Sequence, residues 1–124
     1  MGRKVTDGLS LDFTAPAGTI EEGEAYRVDG ISHFAITGIL STDVDRAYAG
    51  DVSESLYRCK VPAGIAAARG DYLGWTAGAG LKVGATDLAL ILAGAAATGI
   101  PAGAAFQVEG VRNSRGYATL RLVV

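Results

Sequence analysis

The 124 residues hold one cysteine, one histidine, one tryptophan and no marked excess of either charge. Each scarcity removes a class of explanation. The single cysteine, Cys59, rules out an intrachain disulfide framework and a cysteine metal cluster. Its expected role is that of a small, half-buried hydrophobe on a strand. The single histidine, His33, sits beside Phe34, so any histidine-based triad would depend on that one residue. A structural role is the expectation. Net charge is −2 and the basic residues are scattered, which predicts no direct nucleic-acid partner. The longest apolar run, Leu88 to Ala97, is about half the length that crosses a bilayer, so no membrane partner is expected. The start, Met1-Gly2-Arg3-Lys4-Val5-Thr6, lacks the apolar core of a secretory signal. Its fit to the loose myristoylation pattern is read as chance.

The chemical motifs that do occur are fragments. Asp43 and Asp45 flank Val44 like part of a calcium loop, without the remaining ligands. The stretch Gly74-Trp75-Thr76-Ala77-Gly78-Ala79-Gly80 is glycine-rich but has neither the phosphate-loop lysine nor dinucleotide spacing. Arg69-Gly70-Asp71 spells a tripeptide read by adhesion receptors, and its glycine equally suits a turn into the next strand. The expectation is a non-enzyme with no metal and no cofactor.

What the chain has in quantity is glycine, 18 residues, about twice the usual share. It also repeats one phrase three times: Ala-Pro-Ala-Gly at 15–18, Val-Pro-Ala-Gly at 61–64 and Ile-Pro-Ala-Gly at 100–103. Proline fixes φ and glycine can take φ > 0, so each copy is a rigid step followed by a hinge. In the first two copies a second glycine, Gly23 and then Gly70, precedes an apolar segment. Outside these corners the copies do not align, which indicates recurrent turn chemistry and no repeat.

Between the corners lie short β-prone stretches. Leu9, Leu11 and Phe13 alternate with polar residues, a half-buried strand ending at Ala15-Pro16. Glu21, Glu22 and Glu24 read as a solvated turn around Gly23. Ala25–Val28 and 32–40 are strands split by the hairpin signal Asp29-Gly30. The polar stretch 41–51 reads as a loop with room for one helical turn. From Val52 to Val61 the chain is extended, with Leu56 and Tyr57 on opposite faces, until Pro62 stops it. Tyr72 to Trp75 opens a hairpin whose return contains Leu81 and Val83. Leu88 to Ala97 fits a strand or a helix begun by Thr86-Asp87; strand is favoured because Gly94 and Gly99 break a long helix. Phe106–Glu109 and 117–124 flank Asn113-Ser114-Arg115-Gly116, a four-residue hairpin loop.

The sum is an all-β chain: a small, compact barrel- or sandwich-like domain over residues 9–124, preceded by a flexible arm, residues 1–8. Small residues bury little area each, so a homo-oligomer or a host surface is expected to supply the missing burial.

The order of features resembles one family. The early strand into Thr14-Ala15-Pro16-Ala17-Gly18, the Gly23 step into 25–28, the run Leu56 to Pro62, then Gly64, Ile65-Ala66, Gly70-Asp71-Tyr72-Leu73-Gly74-Trp75 and a valine- and leucine-rich C-terminal strand are similar to the small capsid decoration, or head-stabilising cement, proteins of tailed bacteriophages. The resemblance spans about residues 5–124, and 41–51 and 95–103 are longer than in compact members. It implies a β-rich protomer that forms a homotrimer at three-fold and quasi-three-fold sites on the outer capsid surface of the virion. It also implies an arm threaded along the major capsid protein. Arg3, Lys4 and Val5 in the arm, and the large side chains Tyr72 and Trp75, are the candidate capsid or oligomer contacts; Tyr72 and Trp75 suit the protomer core equally. Two other readings stand beside this one. One is a small β-barrel module for carbohydrate or peptide, favoured if Trp75, Tyr72 and Tyr26 converge on one groove. The other is an enzyme domain built on His33.

Overall fold

A computed structural model describes residues 9–15, 19–28, 30–40, 46–65, 67–75, 88–91 and 99–123. They form nine strands in two antiparallel sheets. The first sheet holds β1 (Ser10–Thr14), β2 (Ala25–Val28), β3 (Ile31–Ala35) and β4 (Ala47–Asp51), in the order β1-β4-β3-β2. The second holds β5 (Leu56–Lys60), β6 (Tyr72–Trp75), β7 (Leu88–Ile91), β8 (Phe106–Gly110) and β9 (Tyr117–Leu122), in the order β5-β9-β8-β6-β7. The chain finishes one sheet before starting the other.

Alternation decides which side chains meet. On β9, Ala118, Leu120 and Leu122 are buried and the residues between them are half-exposed, as a strand with one covered face requires. Register carries that face across the sheet, because Val108 lies opposite Leu120 and Phe106 opposite Leu122. Phe34 on β3 closes the sandwich. It is fully buried, stacks on Tyr57 with centroids 4.3 Å apart and tilts against Phe106 at 5.5 Å. Leu56 is exposed while Tyr57 packs inward, the opposite placement that their adjacency predicted.

The corners follow the proline and glycine logic with one refinement. In the second and third copies the proline carbonyl accepts from the N–H three residues on, Ile65 to Pro62 and Ala104 to Pro101, each at 3.2 Å. The positive φ falls at Gly23, Gly70 and Gly103. In the second copy, therefore, Gly70 carries the left-handed residue that an L side chain adopts only with strain. The remainder of the first copy, residues 16–18, lies outside the described residues.

Several expectations are corrected. The stretch 41–51 is not all loop: its second half is β4, an inner strand paired with both β1 and β3. Ala47, Ala49 and Gly50 gave no apolar signal, yet the smallness of Gly50 is what its position needs. A Cβ on Gly50 would collide with the His33 and Phe13 rings that lie against its backbone. The strand expected over 32–40 stops at Ala35; Ile36 is exposed, and Ile39 returns only as an isolated bridge to Ile20. The extended run from Val52 begins as a strand only at Leu56, because Asp51 Oδ1 accepts from Ser53 N–H at 2.8 Å and bends the chain. The partner of β6 is β7, with Tyr72 opposite Ile91 and Trp75 opposite Leu88. The return strand around Leu81 and Val83 lies outside the described residues. Leu88–Ile91 is strand, as favoured. The 113–116 hairpin forms as read: Asn113 Oδ1 accepts from the N–H groups of Arg115 and Tyr117, and Gly116 has φ 89°.

Candidate functional site

His33 is enclosed, with no exposed surface. Its ring lies flat on Phe13, centroids 3.8 Å apart and planes 9° apart. Nδ1 faces the Ile31 carbonyl at 3.2 Å, so it carries the proton and donates; Nε2 then accepts from the Tyr48 hydroxyl at 2.8 Å. Burial lowers the His33 pKa to about 4 despite the Ile31 carbonyl, which favours the charged form. Burial, with Tyr26 adding to it, raises the Tyr48 phenol to about 12. Both imidazole nitrogens are engaged by the fold. The cluster welds β1, β3 and β4 together. It has no geometry for proton transfer to a ligand.

Cys59 is likewise interior. Its thiol donates to the Gly23 carbonyl at 3.3 Å, and burial, with Glu24 nearby, pushes it up to about 12. It is fully buried where half-burial was expected, and a thiol held in that state is a poor nucleophile. The acidic turn is only partly solvated: Glu21 and Glu22 are exposed, but Glu24 is buried, because Gly23 N–H is tied to the Ala35 carbonyl and draws the turn inward. Asp51 heads a small polar knot. Burial raises its carboxyl, but hydrogen bonds from Ser53, Tyr57 and Ser55 outweigh that and hold it below the usual carboxylate range. The Tyr57 hydroxyl donates to Oδ2 at 2.7 Å. Such an ionised, saturated carboxylate fixes the β4–β5 turn and is a weak base. The Arg69-Gly70-Asp71 tripeptide is spoken for by the fold as well: Gly70 N–H bonds the Val108 carbonyl at 2.7 Å and Asp71 Oδ2 caps Ala68 N–H.

The sequence candidates separate in space. Trp75 is half-buried, its Nε1–H donating to Ser32 Oγ at 2.7 Å, its edge on Phe106 at 5.7 Å and the Arg27 guanidinium 5.5 Å above it. It therefore clasps the two sheets, and it also lines an open groove of about 500 Å³ with Leu11, Ile31, Leu122 and Val123. Tyr72 stands across the register from Gln107, on the outer face of the second sheet. Tyr26 is buried on the far side of the first sheet, where its hydroxyl accepts from Glu21 N–H at 2.8 Å. The three aromatics do not meet on one groove. Arg3, Lys4 and Val5 lie outside the described residues, as do Asp43, Asp45 and the glycines after Trp75. Among the described residues no group of three or more histidine, cysteine or acidic side chains could hold a metal, and no helix is long and apolar enough to cross a membrane.

One surface was missed from the sequence. Arg58 and Lys60 on β5 and Arg121 on β9 share the outer face of the second sheet with Tyr117 and Tyr72. Its signal was present in the period-two run Leu56-Tyr57-Arg58-Cys59-Lys60, which alternates exposed and covered positions. Comparison of the chain with models of protein families, with curated proteins and with solved structures finds no match.

Proposed function

We propose that this protein is a structural virion protein, a homotrimeric capsid decoration protein that binds the outside of a phage capsid and stabilises the expanded shell. The observation that carries the reading is the place of β1. Residues 1–8 precede β1 in the sequence, and among the described residues β1 pairs only with β4 and so forms one edge of the first sheet. A segment that continues from a sheet edge is positioned to add backbone pairing to a neighbouring chain, which suits Arg3, Lys4 and Val5 as capsid contacts. Exposed aliphatic side chains, Leu9 beside β1 and Leu40, Ile100 and Val111 elsewhere, add surface that a partner would cover.

The physical work is linkage. A protein that bridges subunits only in the assembled, expanded shell shifts the equilibrium towards that state by mass action. Three linked protomers bind with a high effective concentration once the first is seated. The test is co-sedimentation with expanded shells of the major capsid protein. The full chain saturates a fixed number of sites, and a chain lacking residues 1–8 keeps its near-ultraviolet circular dichroism but loses binding. Absence of binding by the full chain refutes the reading; undiminished binding by the truncated chain removes the arm from it.

A further inference from the structure

The two halves of the chain carry opposite charge. Among the described residues up to 55, Asp12, Glu21, Glu22, Glu24, Asp51 and Glu54 face only Arg27 and Arg46, a balance of −4. From residue 56 onward, Arg58, Lys60, Arg69, Arg112, Arg115 and Arg121 face only Asp71 and Glu109, a balance of +4. The near-zero net charge of the chain conceals this, because the sum cancels two segregated halves. Chain order matches sheet membership, so each balance belongs to the half of the chain that builds one sheet, and the two halves meet where the Gly23 carbonyl accepts from the Cys59 thiol.

The basic half has a flat face. Lys60 lies opposite Tyr117, Arg58 opposite Thr119 and Leu56 opposite Arg121, so these side chains form one outer surface. Arg58 and Lys60 are exposed. On this face Arg121 pairs with Glu109 at 3.2 Å. The acidic half offers a firm complement. The Ile20–Glu24 turn, with Glu22 exposed, is held by the Ile20–Ile39 bridge and by Gly23 N–H to the Ala35 carbonyl. Glu54 is exposed in the β4–β5 turn, which the Ser53 bonds to Asp51 fix.

We infer that the outer face of the second sheet, centred on Arg58 and Lys60, docks against the acidic Glu22 and Glu54 side of a second copy of this chain. The occupant is set by charge complementarity: the matching acidic surface is carried on the same polypeptide, already ordered, so little entropy is lost in forming it. The contact is heterologous, since two different patches meet, and it leaves one free patch of each kind on every pair. Such contacts close into rings when the rotation permits, which is the symmetry that a trimer needs. The inference rests on the self-assembly part of the proposed function and names the surfaces that perform it.

The experiment is sedimentation velocity on the full chain and on two charge-reversed forms, Arg58→Glu with Lys60→Glu, and Glu22→Lys with Glu54→Lys. All four positions are exposed, and unchanged circular dichroism verifies the fold. The expected result is that the wild-type protein assembles, that its dissociation constant rises about tenfold between about 50 mM and about 500 mM NaCl, and that each reversed form is monomeric alone. Mixed together, the two reversed forms assemble, because each now supplies the patch the other lacks. Assembly of the reversed forms alone at wild-type strength, or failure of the mixture to assemble, overturns the contact. A wild-type chain that is monomeric in solution also overturns it, and the shell-binding assay above then decides the decoration reading separately.

Discussion

The two sheets bury different chemistry. The second covers its inner face with apolar groups, Leu73, Phe106, Val108, Leu120 and Leu122, whose packing depends on volume. The first buries Tyr26, Tyr48 and His33 around Phe13, on the face turned away from its partner sheet. There the polar atoms must be satisfied one by one, since an orphaned buried donor or acceptor costs about 1–3 kcal/mol. One sheet is therefore governed by apolar packing and the other by a hydrogen-bonded aromatic cluster over a bare glycine. Stability should respond to different insults in each.

The largest effect belongs to the residue the two sheets share. Phe34→Ala empties the space between Tyr57 and Phe106 and is expected to cost about 4 kcal/mol, read as a lower urea midpoint. A cost near that of a surface change would mean the sheets do not depend on that ring. Gly50→Ala comes next, at about 3 kcal/mol, because the added methyl forces the stacked imidazole and Phe13 out of place. An unaltered midpoint there would dissolve the claim that the first sheet is built around a glycine.

Acid distinguishes the sheets further. The unfolded chain takes up a proton on His33 near 6.5, whereas the folded chain does so only near 4. The unfolded state thus binds more protons within that window, and stability falls as pH drops through it. From pH 7.5 to 4.5 the loss is about 2 kcal/mol, and His33→Gln flattens the profile. Asp51 does not confuse the reading, since its lowered pKa makes its own loss fall below the usual carboxylate range. A wild-type profile that is flat across the window contradicts the buried neutral imidazole. The smallest effect is Ser32→Ala, which removes the acceptor of the Trp75 N–H and costs about 1 kcal/mol. As Trp75 is the only tryptophan, its emission maximum reports the loss directly.

The fold was largely legible because its rules are local. Alternation at Leu11 and Phe13, the Asp29-Gly30 signal and the 113–116 loop each specify a strand or a turn within a few residues. What escaped was set by distant partners. Ala47 to Asp51 looks like a loop until one knows that Phe13 and His33 need a flat surface to lie on. Trp75 revealed its size but not its partners, since Ser32 and Arg27 come from the other sheet. The basic face was hidden by counting charge over the whole chain instead of by half. His33 was read as structural, and the geometry gives the reason: both ring nitrogens are engaged by the protein itself.

The most direct test of the proposed shell-fastening role is the temperature at which expanded capsids rupture, followed by light scattering with and without saturating protein. The account predicts a clear upward shift that grows with occupancy and is lost when residues 1–8 are removed. Identical rupture temperatures for bare and saturated shells would contradict it.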